Sequence, residues 1–459
     1  MDEKTRFKTS ILPVDSRHIG RLQAIHSSDL LDDLEIELDD HSTDAQSLKL
    51  AAEQLRTSDI PVSFPTETVY GLGADATRSA AVRGIYKAKQ RPSDNPLIVH
   101  FGSLGQLRTV LCPPQNRDHH TNGHTKDDGS VDPIPDIYKP LIRKFWPGPL
   151  TIILPNPPDS LLAPEVTAGL STFGARIPRH ILALALIKLA NVPIAAPSAN
   201  ASTKPSPTAA EHVAYDLDGR ITTIIDGGPC DVGVESTVVD GLSQPPLILR
   251  PGGISIEQLR TCSGWENTEI GYKNAAEIDN QPRAPGMKYR HYAPRATVVL
   301  YEAGKSPPST SELQKWIGAS AKLGLVRTKC WRIEPEDQRN PIFAITASEA
   351  NSTAHTKQNG HSQTPGFAGL LETVESTREP RKAIQRHFVQ LGSRQFTLVD
   401  ICLGTDTADV ARGIFAALRE LDKEDVDAIL VEGIDDAEGE TAAAIMNRLR
   451  KAAEVKVEC

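Results

Sequence analysis

Short apolar runs, each closed by a polar turn carrying Gly or Pro, alternate with amphipathic helical stretches along most of this chain. Runs this short do not make core-burying helices, and their bounding turn residues mark them as buried strands. The pattern predicts strands over residues 61–64, 96–100, 150–154, 192–196, 221–225, 236–239 and 247–249. It predicts helices over residues 48–55, 80–88 and 180–189. Strands interleaved with helices specify an α/β fold, and the irregular spacing points to a mixed sheet rather than a doubly wound parallel one.

A second pattern begins at Ala296, with strands expected over 297–301, 323–326, 396–403 and 428–431 and helices over 311–317, 407–421 and 441–453. This is a smaller α/β unit with a Rossmann-like rhythm. At 459 residues the chain is long enough for two domains. The organisation expected is an N-terminal extension over 1–45, disordered and acidic; a first domain over 46–265; a linker over 266–295; and a second domain over 296–459. Polar, low-complexity insertions are expected near 113–135 and 348–380.

Fifty basic and 59 acidic side chains leave a formal net charge of −9. That balance argues against a nucleic-acid coat driven by overall charge, though not against a local basic pocket. No apolar run reaches the roughly 18 residues of a membrane span, and no secretory signal is expected at the N-terminus. The six cysteines are scattered without a Cys-x-x-Cys pair, which fits a reducing compartment and predicts neither a disulfide framework nor a zinc ribbon.

Three short motifs invite function and fail. Gly71-Leu-Gly73-Ala-Asp-Ala76 fits a loose dinucleotide pattern but does not follow a plain strand. Gly304-Lys305-Ser306 resembles the end of a phosphate loop, yet Val299 stands where the first glycine is required. His119, His120 and His124 lie in a low-complexity stretch without ligand-spaced partners, so no metal site is expected there.

Five other segments share a chemical theme. Pro65-Thr-Glu-Thr68-Val-Tyr-Gly71-Leu-Gly73 offers hydroxyls, a carboxylate and glycines that admit a small polar ligand; read blandly, it is a capped turn. Lys87-Ala-Lys89-Gln-Arg91, followed by Asn95-Pro96, gathers cations at a helix end, suited to a polyphosphate or simply to the helix dipole. Pro197-Ser198-Ala-Asn200 projects two polar side chains to one side of an extended segment. Gly233-Val-Glu-Ser236-Thr-Val-Val-Asp240 and Leu249-Arg250-Pro-Gly252-Gly253 add further hydroxyls and a cation. The linker carries Met287-Lys-Tyr-Arg290-His291-Tyr292, a composition suited to a lid. Together they supply charge and hydroxyls but no protein nucleophile or metal cluster, which suits phosphoryl or nucleotidyl transfer.

In this order, the motifs PTETVYGLG, KAKQRPSDNPLIVH, KFWPGPLT, VTAGLSTFGARIP, PIAAPSAN, GVESTVVD, LRPG and APGMKYRHYAP resemble the threonylcarbamoyl-AMP synthase family. The resemblance is to its two-domain form, and is strong over residues 45–295 and weaker beyond. It implies a YrdC-like twisted mixed sheet followed by a Rossmann-like domain. It implies that L-threonine, bicarbonate and ATP give L-threonylcarbamoyladenylate and pyrophosphate, with the product passed to a tRNA-modifying transferase complex. The threonine pocket would be formed by Thr68, His100, Arg176, Ala196 and Ser236. The ATP site would involve Arg91, Asn95, Thr172, Ser198, Asn200, Ser206, Arg250 and His291, with Lys89 and Arg91 offsetting phosphate charge as the catalytic pair. Mg2+ would arrive with ATP rather than in a protein cage. A cytoplasmic location and a possible RNA contact follow from the same resemblance. The competing readings are an RNA-binding module without chemistry, a carbamoyl-transferring enzyme and a Rossmann oxidoreductase.

Overall fold

The computed structural model describes residues 7–24, 34–112, 132–271, 292–334, 342–345, 383–391 and 394–457. In chain order the first thirteen strands are β1 (Ser10–Pro13), β2 (Gly20–Ala24), β3 (Leu34–Leu38), β4 (Val62–Phe64), β5 (Gly71–Asp75), β6 (Ile98–His100), β7 (Leu150–Pro155), β8 (Thr172–Arg176), β9 (Ile194–Ala195), β10 (Thr223–Asp226), β11 (Thr237–Asp240), β12 (Leu247–Arg250) and β13 (Glu269–Ile270). All but β2 and β3 join one twisted sheet in the order β1-β10-β4-β5-β9-β6-β8-β7-β11-β12-β13. Parallel and antiparallel neighbours are mixed: β6 pairs β8 in parallel, whereas β5 and β6 both flank β9 in antiparallel fashion.

Helices cover this sheet. The helix α1 (Thr43–Thr57) is capped by Ser42, whose Oγ accepts from Asp44 N and Ala45 N, and it buries Leu48, Ala51, Ala52 and Leu55. Then come α2 (Ser79–Lys89), α3 (Leu104–Leu111), α4 (Lys139–Phe145), the single turn α5 (Pro164–Thr167), α6 (Ile181–Ala190), α7 (Ala210–Leu217) and α8 (Ile256–Arg260). The helix α6 is apolar almost all round and is buried almost all round, as its composition requires.

The second domain is built on β14 (Thr297–Tyr301), β15 (Lys322–Arg327), β18 (Gln385–Leu391), β19 (Arg394–Cys402), β20 (Ala428–Glu432) and β21 (Val455–Val457), ordered β18-β19-β15-β20-β14-β21. Only the β18–β19 hairpin is antiparallel. The strands β16 (Trp331–Glu334) and β17 (Ile342–Ile345) form a separate pair. The helices are α9 (Thr310–Trp316), α10 (Thr407–Lys423) and α11 (Glu440–Ala452). The faces of α10 and α11 carrying Ile414, Phe415, Leu418, Ile445 and Leu449 share a core with Val298, Val399 and Val431 of the sheet.

Three expectations are corrected. Residues 1–45 are not simply a solvated tail: β1 extends the main sheet beside β10, Val14 and Ile19 are buried, and α1 already starts at Thr43. Nothing local marks this strand, because its partner lies some two hundred residues away. Gly71-Leu-Gly73 is an interior strand, not a capped turn. A Cβ on Gly73 would stand 2.6 Å from the Phe64 ring and 2.8 Å from Ile194, so glycine permits the close packing. The first domain also continues past 265, because β13 pairs β12. Both low-complexity insertions lie largely outside the described residues.

Deleting residues 1–14 removes the β1–β10 ladder and the buried Val14. A lowered melting temperature of the first domain is expected by calorimetry; an unchanged transition would mean the segment behaves as a tail.

Candidate functional site

The polar motifs meet because they sit at the ends of neighbouring strands in the middle of the large sheet. Thr68 precedes β5, His100 ends β6, Arg176 ends β8, Ala196 follows β9, Ser236 precedes β11 and Arg250 ends β12. His100 and Arg176 are register partners on adjacent parallel strands, and Phe101 N donates to Arg176 O at 2.9 Å. The loop from 66 to 69 is tied by its own hydroxyls: Thr66 Oγ1 donates to Val69 O at 2.6 Å and lies 2.9 Å from Thr68 Oγ1. The Pro197–Asn200 segment runs beside β5, with Leu72 N donating to Pro197 O and Ala199 N to Tyr70 O, both at 2.8 Å.

The result is one cleft, partly open to solvent, lined among others by Thr68, Arg91, His100, Arg176, Ala196, Ser198, Ser236 and Arg250. All five residues expected in the threonine pocket are among these. Of those expected at ATP, Arg91, Ser198 and Arg250 line the cleft. Asn95 is buried with Oδ1 unpartnered, while Asn95, Thr172, Asn200 and Ser206 are not lining residues. His291 lies outside the described residues.

Lys89 departs from expectation. It does not line the cleft and is 2% exposed. Its Nζ donates to Ser198 O, to Asn200 O at 2.7 Å and to Asn200 Oδ1 at 3.2 Å. Three acceptors match the three N–H bonds of an ammonium. Burial, reinforced by the charge of Arg91, pulls its pKa well below the ordinary lysine value. The side chain shapes the Ser198–Asn200 segment from beneath, so it is a positioning residue rather than a catalytic one. Asn200 in turn accepts from Ser198 Oγ at 2.6 Å and donates through Nδ2 to Ala201 O and Lys204 O.

Two carboxylates that sequence reasoning did not select balance the cations. Glu67 Oε1 accepts from Arg176 NH2 at 2.6 Å, and Glu67 Oε2 accepts from Arg179 N at 3.1 Å. Burial pushes this carboxyl up, but the charge and hydrogen bond of Arg176 outweigh it, leaving the pKa below the usual glutamate value. Glu235 lines the cleft and accepts from Ser206 Oγ and, at 3.0 Å, from Arg448 Nε. Burial opposes its ionisation, yet Arg448 and Arg250 hold its pKa at about 2. Arg250 is fixed by Nε and NH2 donating to Ser236 O at 3.1 and 2.9 Å, with NH2 also reaching Ser236 Oγ at 3.0 Å.

His100 is 4% exposed with Nδ1 unpartnered. Burial first, then the Arg176 charge, depress its pKa to about 3, so the ring is neutral at physiological pH. Tyr292, expected in the lid segment of the linker, lines the cleft from the linker's end; its ring lies 5.3 Å from that of Phe415 in the second domain. No group of three or more His, Cys, Asp or Glu side chains among the described residues is arranged to hold a metal ion.

Residues 54–252 match the family described as Telomere recombination, which groups Sua5, YciO and YrdC proteins, and residues 254–454 match the family described as Threonylcarbamoyl-AMP synthase, C-terminal domain. The chain is 43% identical over 429 residues to the threonylcarbamoyl-AMP synthase of Schizosaccharomyces pombe, covering 90% of this chain and 89% of that one. It is 39% identical over 416 residues to the protein of that name in Bacillus subtilis, with 90% and 95% covered. Among solved structures, the P. abyssi Sua5 crystal structure complexed with L-threonine superposes with a TM-score of 0.64 at 33% identity, covering 98% of this chain and 100% of that one.

Two measurements probe the site's electrostatics. A buried imidazole with a folded pKa near 3 opposes folding once the unfolded chain protonates below about 6.5. Wild-type stability should therefore lose about 2 kcal/mol more than His100→Gln between pH 7 and pH 5; parallel urea curves would contradict a buried neutral ring. Lys89→Met leaves three acceptors without their donor, and should lower stability by about 1–3 kcal/mol as well as weakening nucleotide binding. Full stability in that variant would show that Lys89 does not organise the segment.

Proposed function

We infer function from the premise that this chain belongs to the threonylcarbamoyl-AMP synthase family, in its two-domain form. It is a nucleotidyltransferase that joins L-threonine, bicarbonate and ATP into L-threonylcarbamoyladenylate and pyrophosphate, for the threonylcarbamoyladenosine modification of tRNA next to the anticodon. The observation that carries this reading in the fold is the meeting of Thr68, Arg91, His100, Arg176, Ser198, Ser236 and Arg250 around one cleft.

The chemistry asks little of the protein beyond placement and charge. The amine of L-threonine adds to the carbon of bicarbonate with loss of water, giving an N-carboxylate. A carboxylate oxygen then attacks the α-phosphorus of ATP, the bond to the bridging oxygen of the β-phosphate breaks, and pyrophosphate leaves. The substrate supplies the nucleophile, so catalysis rests on proximity and on stabilising charge spread over phosphate oxygens. Arg91 and Arg250 offset that charge, with Ser198 beside them in the cleft lining. Asn95, Thr172 and His291 are assigned to the nucleotide subsite on the family's motifs, and Asn200 and Ser206 support it from outside the lining, through Ser198 and Glu235.

Arg176 pairs with the carboxylate of L-threonine. Its Nε already donates to Gly148 O at 3.2 Å and its NH2 to Glu67, so the substrate takes the edge formed by NH1 and the second NH2 proton. His100, neutral, holds the threonine hydroxyl, while Thr68, Ala196 and Ser236 surround the amino acid. Mg2+ enters with ATP. Among the described residues Glu235 is the one carboxylate lining the cleft, and it is engaged by Ser206 and Arg448, so phosphate oxygens would be the ion's principal ligands. When bound, the ion adds Lewis-acid stabilisation of the phosphate charge.

Among the described residues no helix is long and apolar enough to cross a membrane. We place the reaction in the cytoplasm, where a tRNA-modifying transferase complex can take the product directly.

Pyrophosphate release from ATP should require both L-threonine and bicarbonate when each is omitted in turn. Release indifferent to either omission would contradict the reaction. His100→Ala should narrow the preference for L-threonine over 2-aminobutyrate by at least about tenfold, because the hydroxyl loses its buried partner. An unchanged ratio would remove His100 from hydroxyl recognition.

A further inference from the structure

Among the described residues the second domain contributes none to the lining of the cleft, yet two of its buried arginines reach the segments that form the cleft's nucleotide side. Arg448, on α11, is 1% exposed. Its Nε donates to Glu235 Oε2 at 3.0 Å and its NH1 to Pro251 O at 2.5 Å. Its guanidinium carbon lies 6.0 Å from the centroid of the Tyr292 ring. Arg419, on α10, donates to Pro205 O and pairs with Asp216 at 2.8 Å; Asp216 in turn accepts from Ala201 N at 3.1 Å.

We propose that Arg448 is a positioning residue for the nucleotide subsite: by occupying the Glu235 carboxylate it leaves Arg250 to the phosphates and locks together the two segments that carry Ser236 and Arg250. The proposal rests on the adenylyl-transfer reading above. Glu235 faces a cleft meant for a polyanion. Left unpaired, its carboxylate would repel the triphosphate and draw Arg250 toward itself, subtracting one of the cations the phosphates need. Arg448 removes both penalties from behind, without entering the cleft.

The backbone around it leaves little slack. A Cβ on Gly252 would stand 2.2 Å from Thr237 N and 2.5 Å from Glu235 O, so the turn after Arg250 lies directly on the strand entry that carries Ser236. Arg448 grips one side chain and one carbonyl on either side of that contact. Ser206 is held from both directions, its Oγ by Glu235 and its preceding carbonyl by Arg419. The second domain thereby shapes the phosphate side and leaves the threonine side to Glu67, Arg176 and His100.

The asymmetry supplies the test. ATP–Mg2+ and L-threonine affinities are measured separately by calorimetric titration of full-length protein, with melting temperatures alongside. Arg448→Gln should weaken ATP at least tenfold and L-threonine less than twofold. Adding Glu235→Gln, which removes the uncompensated charge but keeps an acceptor for Ser206, should restore ATP affinity to within about threefold of wild type. Arg448→Lys should fall between wild type and Arg448→Gln, since it keeps the charge and loses the fork. Equal loss of both ligands, or no recovery in the double variant, would overturn the proposal and leave Arg448 a domain-packing residue. Should Arg448→Gln fail to fold, the same ligand asymmetry read in Arg448→Lys decides. Because the readout is binding, wild-type protein that binds ATP yet releases no threonine-dependent pyrophosphate would refute the reaction while still testing the clamp.

Discussion

Guanidinium groups can be kept inside a protein only when their charge is answered, and here the answer is deliberately incomplete. Arg91, Arg176, Arg250 and Arg448 surround or back the cleft, while Glu67 and Glu235 are the carboxylates engaged with them. Among these six described side chains, four guanidinium charges face two carboxylates. Burial makes that excess costly, as the Arg250 pKa shows: desolvation drags it down to about 10 despite Tyr292 and Glu235 nearby. The cost is met by rigid backbone acceptors such as Ser236 O and Gly148 O, which hold each guanidinium without neutralising it. A substrate bearing phosphates and a carboxylate supplies the missing negative charge, and the stored desolvation becomes binding free energy.

The sheet makes this arrangement possible. Mixed strand directions bring the ends of β6 and β8 and the start of β11 to one edge, while the chain leaving β9 carries Ala196 and Ser198 along β5 to its start, so short polar motifs far apart in sequence need no long loops to meet. Gly73 matters for the same reason. It lets β5 settle against Phe64 and Ile194, and so fixes the height at which the 66–69 loop emerges. Lys89 serves the opposite wall, its ammonium replacing several backbone partners that the irregular Ser198–Asn200 segment cannot obtain from a ladder.

What the sequence discloses and what it hides follow from the range of the interactions. Strand positions over 150–154, 297–301 and 428–431 are legible because apolar runs and turn residues are local signals, and the structure has strands at Leu150–Pro155, Thr297–Tyr301 and Ala428–Glu432. The helix over 407–421 is legible from its period, and the structure adds its cap, Asp406, whose Oδ1 accepts from Ala408 N and Asp409 N. Convergence of Thr68, Arg176 and Arg250 is legible only through the motif order and the family it resembles. The ionic partners are not: Glu235 answers to Arg448 across 213 positions, and Arg419 answers to Asp216 across 203. A charged residue in a predicted helix reads as a solvated face, and nothing local distinguishes Arg448 from Arg450, which pairs with Glu302 nearer the surface. The strand at Ser10–Pro13 was hidden the same way, by a partner at Thr223–Asp226.

Long-range pairing also settles how the two domains depend on each other. Val234 and Tyr292 belong to the core cluster of the second domain although both border the cleft's motifs, and a Cβ on Gly233 would meet Ala411 O at 2.4 Å. Gly233 itself has φ +80°, a conformation that glycine adopts without strain. The segment entering β11 is therefore packed from one side by the second domain's helix while its next two residues, Glu235 and Ser236, face the cleft. Backbone that is pinned on one side and chemically loaded on the other cannot relax independently of either domain. Displacing α10 by a fraction of an ångström must move Ser236, and with it the carbonyl that holds Arg250. The interface is thus part of the site's geometry, not a hinge beside it.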